Sequence, residues 1–242
     1  MENPLEHFQL HRVAELHLFG LDVSINQGVL TMWFAVAALF TLFAVAAAKR
    51  ETVPGMVQNI AEIGVEFIHD LAEDNIGHNG HRYVPFLISL FLFVLFLNMW
   101  GLIPGQFTVT SQIVVTATLA IIVYAISLIV GFYKHGLKFL KILLPAGTPW
   151  WLIPLMIPVE ILSQLARPMS LAVRLFANMT AGHTVLAVLF GMTVTLPWWG
   201  GWVPFGVTVA INALELLIAF IQAYIFVMLS CVYFGDAENM AH

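Results

Sequence analysis

The sequence predicts an all-α, polytopic membrane protein with five transmembrane helices and one amphipathic surface helix. Three observations carry this. The 242-residue chain is 60% hydrophobic and only 10% charged, where a soluble domain carries about 25% charge. Five apolar runs are long enough to cross a hydrocarbon core of about 30 Å. One further stretch has helical periodicity but too many acids to enter lipid. The net charge of −5 and the scatter of the few Lys and Arg residues argue against a nucleic-acid surface. The single cysteine, Cys231, rules out an internal disulfide and a cysteine-based metal cage.

Residues 1–27 are polar and His-rich (His7, His11, His17) and are expected to be an exposed lead-in. They carry Glu2, Glu6 and Glu15 and no basic stretch ahead of an apolar core, so they do not read as a signal or transit peptide. Residues 28–242 are expected to form a single membrane domain without an internal repeat. The first span, 28–48, has no charge and is about 30 Å long as a helix. It stops at Lys49-Arg50, and Pro54-Gly55 follows.

In residues 56–74, Met56, Ile60, Ile63, Phe67 and Leu71 recur at helical spacing, while Glu62, Glu66, Asp70 and Glu73 take the other side. This pattern predicts a helix lying along the membrane surface. Its acidic face is open to two readings, a solvated surface or a docking face for a partner subunit. The second and third spans, 84–103 and 113–133, are joined by an uncharged turn containing Pro104-Gly105 and are expected to form a tight antiparallel hairpin. Residues 142–159 hold four prolines, which predicts an interrupted, interfacial segment with Trp150 and Trp151 at the headgroups. The fourth and fifth spans, 161–190 and 205–234, would each be about 45 Å long. Tilt, kinking or protruding ends must absorb the excess, and both are read as long, tilted helices.

Orientation follows from the cations. Lys49, Arg50, Arg82, Lys134, Lys138 and Lys141 fall in loops on one side, and the loops at 104–112 and 191–204 carry no charge. The positive-inside rule makes the first side cytoplasmic. Five spans then put the N-terminus outside and the C-terminus inside.

Polar residues within the spans are few. Asn98 lies on the second, Glu160, Ser163, Gln164, Arg167, Arg174, Asn178 and His183 on the fourth, and Asn212, Glu215 and Gln222 on the fifth. At about 100° per residue, Glu160, Arg167, Arg174 and Asn178 form one stripe. His183 points to roughly the opposite face, about 13 Å further along the axis. Glu215 and Gln222 share a face of the fifth span. Two polar patches that differ in facing and depth suggest two partial paths that do not meet. Plainer readings stand beside this one. Arg167 can snorkel to the interface, Asn98 and Asn178 can serve as interhelical hydrogen bonds, and His183 and Glu215 can be a structural ion pair. Arg174 is different, because an intramembrane cation is costly and its stripe offers no acid closer than Glu160, about 21 Å away. Its natural partner is a carboxylate from another subunit.

The run SLAVRLFANMTAGH, preceded by PVEILSQLARPMS and followed by ELLIAFIQAYIFVMLSCVYF, resembles subunit a of the F-type ATP synthase. The resemblance covers the chain from Gly28 onward. It implies a non-catalytic, stationary membrane subunit beside a ring of c subunits, with peripheral-stalk b subunits as further partners and no cofactor. It implies a bacterial inner membrane or, alternatively, an organelle-encoded inner-membrane protein. Arg174 matches the family's arginine that faces the ring carboxylates and separates two proton half-channels. Asn178 and Gln222 match its neighbours. Glu160 and Ser163 match the cytoplasmic half-channel, and His183 and Glu215 match the opposite one. Some members carry an acid three residues after the asparagine of the second span, where this chain has Gly101. A relay there needs water, Thr116 or Thr118, and Asn98, Thr118 and Asn212 are further candidates. Two rival readings fit the sequence less well. A self-contained secondary transporter would usually show an internal repeat. A haem anchor needs two axial ligands, and only His183 lies within a span.

Overall fold

The computed structural model describes residues 12–14, 17–18, 21–22, 24–48, 55–103, 108–136, 138–139, 150–196 and 200–239. Lys49-Arg50, the Pro104-Gly105 turn, Lys141, Trp198, Trp199, His7 and His11 lie outside them. In the lead-in, β1 (Arg12–Ala14) pairs antiparallel with β4 (Ile25–Asn26), and β2 (His17–Leu18) with β3 (Leu21–Asp22). These are two- and three-residue ladders ahead of a helical body.

Six helices follow: α1 (Gln27–Ala48), α2 (Met56–Ile76), α3 (Val84–Gly101), α4 (Ile113–His135), α5 (Ile153–Thr195) and α6 (Trp202–Asn239). All but α2 are long and apolar enough to cross a membrane. The first three apolar runs become helices within two residues of their expected limits. The last two are longer than expected, 43 and 38 residues, or about 65 and 57 Å. Each exceeds the hydrocarbon thickness by about twofold, so tilt or protrusion is unavoidable.

The start of α5 corrects one expectation. The helix begins at Ile153 and runs through Pro158 and Pro168, so residues 153–159 belong to it, although the four prolines of 142–159 predict an interrupted, interfacial segment. Pro154 sits in the first turn, where no backbone N–H is needed. Pro158 and Pro168 each forfeit one hydrogen bond without ending the helix. Trp150–Leu152 form a single 3-10 turn before it.

A second correction concerns the expected hairpin. α3 and α4 are not close neighbours along their lengths, because α6 packs extensively against both. α6 also meets α2 and α5, which makes it the central element. Its buried Ala223, Phe226, Val227, Cys231 and Phe234 join Ile68, Ala72 and Ile76 of α2, Leu87 and Val94 of α3, and Leu171 and Leu175 of α5 in one core. α2 is therefore anchored at its C-terminal half, while Met56, Ile60 and Ile63 remain exposed. A Cβ at Gly235 would collide with the Asn75 carbonyl oxygen, so glycine permits this close approach of α6 to α2.

The last turn of α6 is clasped from several sides. Glu238 accepts from Lys134 Nζ at 2.5 Å and from the Tyr83 hydroxyl at 3.0 Å. His135 Nε2 donates to the Glu238 carbonyl at 3.2 Å, and Asn239 Nδ2 to the Ile76 carbonyl at 2.8 Å. The ends of α2, α3, α4 and α6 are thereby tied together. Burial and the Glu238 carboxylate push the Tyr83 hydroxyl up to about 12.

Candidate functional site

α5 and α6 run alongside each other and carry most of the sequence-selected residues. Leu171, Ala172, Leu175 and Met179 of α5 are buried, whereas Val173, Arg174, Ala177 and Ala181 are exposed. This helix therefore has one packed face and one open face, and Arg174 stands on the open one. Among the described residues its guanidinium makes no hydrogen bond or ion pair. A permanent cation without a counter-charge, on the outer face of a span, is the chief electrostatic oddity of the fold.

One turn beyond Arg174, Asn178 Nδ2 donates to Gln222 Oε1 at 3.2 Å. Gln222 is almost wholly buried. Next comes a cavity of about 290 Å³ lined by Asn178, Gly182, His183, Glu215, Leu102 and Ile211, among others. At roughly 10–15 Å³ for each water centre, that volume is large enough for several waters. His183 Nε2 lies 3.2 Å from Thr108 Oγ1. Glu215 is buried at 8% exposure, and neither of its carboxylate oxygens has a protein partner. His183 and Glu215 share the cavity without forming an ion pair. Such oxygens require water or a proton, because leaving them bare is costly. A Cβ at Gly182 would overlap Glu215 Oε1, so glycine gives the carboxylate its place.

Asn98 is fully buried and donates to the Ala219 carbonyl at 3.3 Å, one turn from Glu215, with its own Oδ1 unpartnered. The missing side chain at Gly101 leaves room for Thr108, whose methyl a Cβ there would strike. Thr108 thus reaches the histidine from the loop before α4. Three candidates are not brought in. Thr118 is exposed and its hydroxyl bonds back to the Val114 carbonyl of its own helix at 2.7 Å. Thr116 is buried, and its hydroxyl likewise returns to Ile113 and Gln112. Asn212 is exposed, away from the cavity lining.

At the other end of the pair, where α5 begins and α6 finishes, Gln164 donates to Glu160 at 3.0 Å and Arg167 Nη1 to Asp236 Oδ2 at 2.7 Å. Ser163 is exposed nearby. Arg167, read above as able to snorkel, is ion-paired here. A small cavity of about 20 Å³ is bounded by Tyr124, Gln164, Arg167, Tyr233 and Asp236. Between the two polar zones α5 and α6 contribute buried Leu171, Leu175, Phe226 and Val227 to the core. The zones are separated by apolar packing, and Arg167 lies about 24 Å from His183 along the α5 axis. No group of three or more His, Cys, Asp or Glu able to hold a metal occurs among the described residues.

Thr108, Gly182 and Asp236 were not singled out from the sequence. A lone hydroxyl in a loop and a glycine in an apolar helix carry no periodic signal. Asp236 sits in a short polar C-terminal run that reads as a solvated tail.

The family model described as ATP synthase A chain matches residues 29–235. The chain is 42% identical over 241 residues to ATP synthase subunit a of Pelagibacter ubique, covering 99% of both. It is 45% identical over 242 residues to that of Magnetococcus marinus, covering 98% of this chain and 93% of the relative. It is 42% identical over 240 residues to that of Rhodospirillum rubrum, covering 99% and 100%. These matches span the apolar helices and both polar zones, and the chain belongs to the ATP synthase subunit a family.

Proposed function

We infer that this chain is the stationary, non-catalytic proton-channel subunit of a rotary ATP synthase and that two offset half-channels carry protons to and from carboxylates on a c-subunit ring. The observation that carries this reading is Arg174, without a counter-charge among the described residues, on the open face of α5 between two polar zones that have buried apolar residues between them. Family membership supports the assembly as a whole. The c ring, the b subunits of the peripheral stalk, and an N-terminus outside with a C-terminus inside the cell membrane belong to this proposal.

The outer half-channel includes the cavity lined by His183, Glu215 and Asn178, with Gln222 bonded to Asn178 and Asn98 bonded one turn from Glu215. An imidazole and a carboxylate in one cavity can relay a proton through water in either order. The relay protonates a ring carboxylate, and the neutral acid can turn through lipid, which its anion cannot do cheaply. Glu160 and Ser163 belong to the exit path, where the acid deprotonates. Arg174 stabilises the carboxylate as it passes. Guanidinium suits this role because it keeps its proton when desolvated, whereas a lysine ammonium can lose it. The same fixed charge bars protons from passing directly between the half-channels. Each proton crossing a potential of 100 mV supplies about 2.3 kcal/mol, delivered as torque.

Arg174→Lys is expected to abolish proton-driven ATP synthesis in membrane vesicles while the complex still assembles. Synthesis at the unmodified rate in assembled complex would refute the reading.

A further inference from the structure

Arg167 and Arg174 stand one heptad apart on α5. Positions seven apart on a helix lie within about 20° of each other and about 10 Å apart along the axis. Two permanent cations therefore share one stripe, yet their electrostatic states differ. Arg167 Nη1 donates to Asp236 Oδ2 at 2.7 Å, and its guanidinium carbon lies 5.9 Å from the Tyr233 ring centroid. Arg174 has no counter-charge among the described residues. Asp236 arrives from 69 positions away, on the last turn of α6. That turn is the one held by Lys134 and Tyr83 through Glu238, and by Gly235 against the Asn75 carbonyl. The carboxylate that meets Arg167 is thus presented by a fixed element.

We propose that Asp236 is a charge-cancelling positioning residue: by pairing with Arg167 it leaves Arg174 as the single uncompensated cation on the stripe that meets the ring carboxylates. This rests on the reading that Arg174 meets those carboxylates. A passing anion that finds two free guanidinium groups about 10 Å apart has two stations. It can dwell at the wrong one, because an attraction to a second cation resists its onward movement. Cancelling Arg167 leaves one landing point and retains the arginine's long stem as packing beside Tyr233. Both Arg167 and Asp236 are about one-third exposed, so solvent screens the Arg167 charge only in part and its cancellation falls to Asp236.

The test uses the whole complex in inverted membrane vesicles. ATP-driven proton pumping is followed by a pH-sensitive dye, and complex content is measured in the same membranes. Asp236→Asn frees the Arg167 charge and is expected to slow pumping about tenfold at equal complex content, the effect of about 1.4 kcal/mol of added dwell. Asp236→Asn combined with Arg167→Met removes both charges and the contact between them, and is expected to recover to within about twofold of the unmodified rate. Unmodified pumping in Asp236→Asn would overturn the proposal. A double variant that stays slow would also overturn it, because the pair would then be a clamp between α5 and α6 or the carboxylate a proton carrier. If Asp236→Asn does not accumulate, the double variant decides alone. Arg174→Gln is measured in parallel. Pumping in that variant refutes the parent reading, whereas its loss alongside normal Asp236→Asn pumping refutes only the charge-cancelling role.

Discussion

Replacing Gly182 by alanine tests whether the position of Glu215, rather than its mere presence, sets proton conduction. An added Cβ would overlap Glu215 Oε1 and lie 2.9 Å from its carboxyl carbon. Ordinary carbon–oxygen contact requires the carboxylate to retreat by about 1 Å. The atoms in the way are the far end of a rotatable side chain, so the shift costs about 0.5–1.5 kcal/mol. Alanine is favoured over glycine in a helix by up to about 1 kcal/mol. The two effects offset, and thermal stability of the complex is expected to change little. Conduction is not protected in this way. A misplacement of about 1 Å at a reacting group costs up to about a hundredfold in rate, and a relay through water depends on distances of about 2.6–3.2 Å. Passive proton flux through membranes stripped of the catalytic sector should therefore fall by about tenfold or more, with complex content unchanged. Unaltered flux in Gly182→Ala would refute the reasoning, since the carboxylate would then conduct equally well from a displaced position.

The remaining predictions use the same structure. Thr108→Val keeps the shape of the loop but removes the hydroxyl 3.2 Å from His183 Nε2. A net hydrogen bond of about 0.5–1.4 kcal/mol corresponds to roughly a two- to tenfold loss of passive flux, and no loss would mean the contact is incidental. Glu238→Gln leaves Lys134 and Tyr83 without their carboxylate and is expected to destabilise the clasped end by about 1–3 kcal/mol, read as a lower dissociation temperature of the purified complex. The Tyr83 proton is retained more tightly in the folded state, its pKa rising from 10.0 to about 12. Its contribution is therefore complete below about pH 10 and lost as pH rises through about 12. A melt in which Glu238→Gln and the unmodified complex lose stability in parallel over that window would contradict the clasp.

The helices were legible because charge-free runs of membrane length leave few alternatives, and because the acids of α2 mark it as the helix that does not cross. The start of α5 was obscured by its prolines: Pro154 marks the first turn of a helix as readily as a break, and nothing local distinguishes the two. The neighbours of α6 were not legible, since all five spans are apolar around much of their circumference and such a surface does not name its partner. The insertion of α6 between α3 and α4 follows from packing across the whole chain. Within the site, Arg174 stood out on cost alone; the 3.6-residue period put Asn178 on its stripe and His183 opposite, whereas Asn178 and His183 line one cavity. Thr108 reaching His183 and Asp236 reaching Arg167 join residues 75 and 69 positions apart, and no periodicity connects them. The glycines at 101, 182 and 235 act by what their missing side chains admit, which becomes visible only once the neighbour is in place.

The central claim is that the open face of α5 around Arg174 meets the rotor. Cysteines introduced one at a time at Val173, Ala177 and Ala181, which are exposed, and at Ala172, Leu175 and Met179, which are buried, test this against a cysteine beside the ring carboxylate. Disulfide formation in the assembled complex should occur from the first set and be absent from the second. Equal cross-linking from both sets, or cross-linking confined to the buried set, would contradict the account.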